Sequence, residues 1–228
     1  MSSLLLILKK IFSLKLHLIK IENVRTPFGE PFNQDNHWVK TLQEYDEGMR
    51  DYSKSSLYNF HKKFKPVNIF NVMPSNERDP RAFFLGEYPW GRWAKKSTKE
   101  EWFEGTHCGP SSDETIKKEW INFVGLYKKI LSEGLLIKKY GYPLGSFLID
   151  EDRVKYFIVL GGNHRMAIIS HLELAKKVPV RAIARDNISQ FSYYARLKIK
   201  YPRPGIDINN TRKLFKCLIS NEFNINEN

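Results

Sequence analysis

Residues 156–172 read Tyr-Phe-Ile-Val-Leu-Gly-Gly-Asn-His-Arg-Met-Ala-Ile-Ile-Ser-His-Leu, and they constrain the fold more than any other stretch. The apolar run Tyr156–Leu160 has the length and composition of a buried strand. Two glycines follow, then a polar pair, then an apolar-periodic helix. A strand, a glycine turn and a helix together suit an anion. Glycine admits positive φ and close approach of the backbone, and the first N–H groups of a helix point outward with the positive end of its dipole behind them. Arg165 adds a fork of donors matched to phosphate oxygens. The spacing therefore predicts a phosphate or nucleotide site at Gly161, Gly162, Asn163, His164 and Arg165. A plain tight turn between strand and helix would read the same way.

Around this turn the pattern is mixed α and β. Helical spacing is expected at His37–Arg50, with Trp38, Leu42 and Tyr45 on one side, and at Ser55–Phe64. Val67–Val72 reads as a strand, and residues 74–112 as a long loop rich in aromatics and glycine. Ser112 or Asp113 caps a helix over 114–132, which Glu133-Gly134 stops. Leu135–Ile137 and Gly145–Ile149 read as strands. Asp150-Glu151-Asp152 closes a hairpin over 146–160. The helix after the glycine turn is expected to reach Ala175, with Lys176 and Lys177 in its last turn. Val178–Ile183 then forms a last strand, and a short basic helix lies near Thr211–Ile219. The fold class is α+β, a small mixed sheet with packed helices. The division expected is an N-terminal helical extension at 1–62, a core at 63–186 and a basic extension at 187–228.

The chain has 228 residues and a net charge of +12, but the charge is concentrated. Residues 1–20 hold four lysines and no acid, and residues 196–216 hold seven Lys/Arg against Asp207 alone. The rest is close to neutral, which disfavours a protein that grips a polyanion with its whole surface. Leu4–Leu8 is too short to span a bilayer, and no signal-peptide cleavage pattern follows it. In helical projection Lys9, Ser13, His17 and Lys20 form a polar stripe against a Leu/Ile face. Peripheral membrane contact through residues 3–20 is one reading; a strand over residues 14–18 is another. The two cysteines, Cys108 and Cys217, fit no disulfide framework or metal pattern, as in a reducing cytoplasm.

The order helix, Glu-Gly-Leu-Leu, hairpin, Leu-Gly-Gly-Asn-His-Arg-Met-Ala, helix, Val-Pro-Val-Arg-Ala-Ile resembles the ParB N-terminal domain and sulfiredoxin superfamily over about residues 116–184. The resemblance implies nucleotide binding at Gly161–Arg165, as CTP in ParB proteins or ATP in sulfiredoxins and free serine kinases. Asn163 stands where sulfiredoxins carry their cysteine nucleophile and where ParB proteins carry a glutamate. Few residues follow Arg185, too few for a helix-turn-helix domain. Both of those activities are therefore disfavoured. The kinase branch implies an ATP-dependent phosphotransferase acting on a small hydroxyl-bearing metabolite, with Mg²⁺, and the layout also resembles proteins encoded near surface-polysaccharide genes.

Phosphoryl transfer needs phosphate clamps and a group that positions or deprotonates the acceptor. Glu87, in the aromatic loop, is the expected carboxylate, and His164 is the expected phosphate donor or acid/base. Glu87 could equally be a surface partner of Arg92. His171 is expected to be structural, and His107-Cys108 a coincidence of the loop. A non-catalytic nucleotide-binding regulatory module is the alternative, with a DNA-binding or nuclease-like protein behind it.

Overall fold

A computed structural model describes residues 16–63, 111–182, 188–189, 192–194 and 208–220. The strand expected at 67–72 and the loop bearing Glu87, Trp90, Trp93, His107 and Cys108 lie outside the described residues. In chain order the elements are β1 (Leu16–Lys20), β2 (Val24–Arg25), α1 (His37–Asp46), α2 (Ser56–Lys63), α3 (Asp113–Glu133) and α4 (Ile137–Tyr140). Then come β3 (Leu144–Ile149), β4 (Lys155–Gly161), α5 (Asn163–His171), β5 (Lys177–Ala182), β6 (Ile188–Ser189) and α6 (Ile208–Ile219). The expected α+β class holds at this level.

The six strands form one mixed sheet in the order β1-β5-β3-β4-β2, with β6 beside β3. β1–β5 and β3–β4 are antiparallel, whereas β2–β4, β3–β5 and β3–β6 are parallel. The two ends of this order, β1 and β2, are joined by the single 3-10 turn Ile21–Asn23. In a flat sheet, four strand spacings would separate them by about 19 Å, yet four residues reach only about 14 Å. The sheet must therefore curl. It does so at β5, which pairs with β1 over Lys177–Arg181 but meets β3 only at Arg181 and Ala182.

The inside of the curl is the core. Phe147, Phe157, Val159, Val178, Val180 and Ala182 meet Trp38, Val39, Leu42 and Tyr45 of α1, Phe123, Val124, Tyr127 and Ile130 of α3, and Met166–Ile169 of α5. Gly145 is required here by close approach: a Cβ at this position would sit 2.0 Å from the Ile158 carbonyl oxygen. Outside this cluster α6 buries Leu214, Phe215 and Leu218. Its end is held by Arg25, whose Nη2 donates to the Ile219 carbonyl at 3.3 Å.

The helix starts follow from their caps. Asn36 accepts from the Trp38 and Val39 amides at the head of α1, and Ser112 accepts from Thr115 at the head of α3. Glu44 of α1 reaches the head of α2 and accepts from the Ser56 amide at 2.8 Å. Asp46 joins three helices, accepting from the Tyr127 hydroxyl of α3 at 2.7 Å and pairing with Nε2 of His171 of α5 at 2.7 Å.

Three sequence expectations are corrected. The N-terminal helical stripe is strand at residues 16–20, where Leu16 and Leu18 face out and Ile19 faces in. Period two wins because β5 offers a partner along the whole segment. Leu135–Ile137 is not a strand. Gly134 and Gly141, at φ 77° and 80°, bracket the one-turn helix α4, and Glu133 accepts from Lys139 Nζ and the Tyr140 hydroxyl across it. The helix after the glycine turn ends at His171 rather than near Ala175, with Glu173 at φ 50° turning the chain. Lys177 opens β5 opposite Lys20 instead of closing that helix.

Candidate functional site

The glycine turn lies where the sequence places it, and only one of its glycines is conformationally demanding. Gly161 ends β4, and a Cβ there would meet nothing closer than Leu144 at 3.8 Å. Gly162 is the N-cap of α5, left-handed at φ 100°, and no side chain caps the helix. A Cβ there would also lie 2.8 Å from Nη2 of Arg165. The turn therefore leaves the first amides of α5 without a side-chain acceptor, the condition that favours an anion.

These amides open on a cleft of about 270 Å³ lined by Trp38, Glu119, Gly161, Gly162, Asn163, His164 and Arg165. Every expected cofactor-binding residue is thus on one wall. Two further residues come from other helices, Trp38 from α1 and Glu119 from α3. Glu119 Oε1 lies 2.8 Å from His164 Nε2. A carboxylate in this position fixes the ring hydrogen on Nε2 and leaves Nδ1 as the basic nitrogen. Phe123, one turn along α3 from Glu119, packs against the His164 ring at 4.7 Å, and Trp38 meets its edge at 6.0 Å. The imidazole is therefore oriented from three sides.

Arg165 is partly committed to the scaffold. Its Nη1 donates to the carbonyl of Tyr140, and to that of Gly141 at 2.5 Å, fastening the turn after α4 to α5. Burial lowers its pKa from the ordinary value. The expected phosphate fork thus has one prong engaged. Asn163 is 5 % exposed, and its Oδ1 is buried with no hydrogen-bond partner among the described residues. Such a group costs about 1–3 kcal/mol unless a ligand or water satisfies it.

Behind the cleft lies a pair that the sequence reading missed. Glu30 accepts from the His37 amide through Oε1 at 3.3 Å, and its Oε2 lies 3.1 Å from His37 Nδ1. Both residues are buried, and the His37 ring stacks on Phe60 at 3.6 Å. Burial pushes the Glu30 carboxyl up to about 8, against the lowering effect of the His37 amide. Burial also holds His37 well below the usual imidazole range, with His164 acting in the same sense and Glu119 opposing. At neutral pH the contact is therefore a hydrogen bond between a neutral acid and a neutral ring, although its distance would also fit an ion pair.

Among the described residues no group of three or more His, Cys, Asp or Glu side chains could hold a metal ion. Glu119 is the one carboxylate among the residues lining the cleft. No family model, curated protein or solved structure matches this chain.

Proposed function

We propose that the cleft binds the phosphate groups of a nucleoside triphosphate and that the protein transfers a phosphoryl group to a small hydroxyl-bearing acceptor. The observation that carries this is the uncapped α5 N-terminus at Gly162, opening on a cleft that also holds the Glu119–His164 pair. The α5 amides and the remaining Arg165 donors hold the phosphates. His164 Nδ1 takes the acceptor's hydroxyl proton, and Glu119 stabilises the imidazolium that results. The acceptor oxygen bonds to the terminal phosphorus as the bond to the leaving diphosphate oxygen breaks, and the diphosphate departs. Glu119, the one carboxylate lining the cleft, would help to hold a Mg²⁺ ion brought in on the phosphates, which would supply neutralisation of the developing charge. In this reading His164, backed by Glu119, deprotonates the acceptor; Glu87, the carboxylate expected from the sequence, lies outside the described residues. The resemblance of residues 116–184 to ParB and sulfiredoxin-like sequences agrees with this reading.

A thermal-shift series tests the binding step, with inorganic phosphate, ATP, ADP, CTP and GTP, with and without Mg²⁺. At least one triphosphate should raise the melting temperature, and Asn163→Asp should abolish the rise by placing a carboxylate against the anion. If no phosphate compound shifts the protein, the site is misread. Formation of nucleoside diphosphate with a panel of amino acids and sugars tests the transfer. Glu119→Gln should keep binding and lose turnover. Binding without turnover on any acceptor would reduce the protein to a nucleotide-binding module.

A further inference from the structure

Strand β1 carries a face that the core does not use. Its inward residues are accounted for: Ile19 is buried, and His17 packs edge-on to Phe147 at 5.0 Å. Its outward residues are Leu16, Leu18 and Lys20. Leu16 is 46 % exposed and Leu18 71 %. Residues directly opposite in an antiparallel pair share a face. The register sets Leu16 beside Arg181, Leu18 beside Pro179 and Lys20 beside Lys177. This end of the sheet therefore presents two exposed leucines and a proline among Lys20, Lys177 and Arg181. Lys176, also exposed, precedes them. Lys20 is paired with Glu22 at 3.0 Å.

The chain that leads into β1 has the same chemistry. Residues 4–15 read Leu-Leu-Leu-Ile-Leu-Lys-Lys-Ile-Phe-Ser-Leu-Lys, leucine-rich, with three lysines and no acid. Exposed leucines alone would be compatible with many partners. Leucines rimmed by lysines on the fold, and continued by leucines and lysines in the sequence, match an interface that is apolar beneath and negatively charged on top.

We infer that the outer face of β1 and the adjoining part of β5 docks on an anionic phospholipid surface, with Leu16 and Leu18 entering the acyl boundary and Lys20, Lys176 and Lys177 meeting the headgroups. This inference stands apart from the phosphoryl-transfer reading. None of these side chains lines the cleft, so either can fail alone.

Co-sedimentation of the full chain with vesicles tests it. One set is phosphatidylcholine alone, and the other is phosphatidylcholine with one-third phosphatidylglycerol, both at physiological salt. The protein should sediment with the anionic set and stay in solution with the neutral set. Leu16→Asp/Leu18→Asp and Lys176→Glu/Lys177→Glu should each weaken binding by about tenfold or more and leave nucleotide thermal shifts unchanged. Leu18→Ser, at the more exposed site, serves if the double aspartate variant misfolds, and should weaken binding by a smaller factor. Absence of wild-type sedimentation with the anionic set would overturn the inference, as would wild-type binding by the leucine variants. So would a wild-type dimer on size exclusion that the leucine variants convert to monomer, because the face would then join two copies of the chain.

Discussion

Replacing Glu30 with glutamine should remove the loss of stability that this carboxyl imposes on the wild type as pH rises from about 4.5 to 8. The carboxyl titrates near 8 in the folded protein against an ordinary value of 4.5. Below about pH 4.5 both the folded and unfolded states hold the proton. Between that value and 8 the unfolded chain has released it and the folded protein keeps it, so folding stability falls as pH rises. At about 1.4 kcal/mol per pKa unit, the loss across this window is at most about 5 kcal/mol. A glutamine amide keeps both contacts: its carbonyl accepts from the His37 amide, and its NH₂ donates to His37 Nδ1 as the neutral acid does. Urea unfolding of the two proteins, at half-unit steps from pH 5 to 9, should show the variant gaining on the wild type by several kcal/mol and levelling off above about pH 8. His37 remains in both proteins, so its own titration largely cancels in the difference. A difference that stays constant from pH 5 to 8 would refute the assignment of a buried neutral carboxyl.

Two further perturbations probe the scaffold. Gly145→Ala should cost about 3 kcal/mol or more in unfolding measurements, because its Cβ would lie 2.0 Å from a backbone oxygen and 2.8 Å from the Phe157 ring. Asp46→Ala should cost about 2–3 kcal/mol by stripping the Tyr127 hydroxyl and His171 of their shared acceptor; in a double-mutant cycle with Tyr127→Phe the two effects should be clearly non-additive.

The glycine turn was legible because its signal is local. Left-handed backbone favours glycine, and a strand followed at once by a helix leaves room for little else. Even there the pair of glycines overstates the need, since Gly162 alone takes the positive φ. Glu119 was hidden by its neighbours: in Lys117-Lys118-Glu119 it reads as a solvated helix face. The clue was its position one turn before Phe123, an inward residue whose ring meets His164. Glu30 and His37 were hidden differently. Glu30 sits in a turn of Pro, Gly and Asn that looks exposed, and it is buried only in the fold, against His37, whose ring stacks on Phe60. The start of the chain misled because Leu and Lys at these spacings satisfy both a helical stripe and an alternating strand. The choice rests with β5, far along the chain, and no local pattern records it.

The curl of the sheet carries a consequence for how the protein is made. β1 and β2 leave the ribosome before the strands they pair with, β5 and β4, which lie in residues 155–182. Until that stretch emerges, β1 has no strand to pair with. Once it does, both ends of the sheet can close almost together, because three residues link them. Leu16–Lys20 therefore stays unpaired until residues 177–181 are made, and a chaperone or a nearby bilayer has that interval in which to reach its two leucines before the fold does.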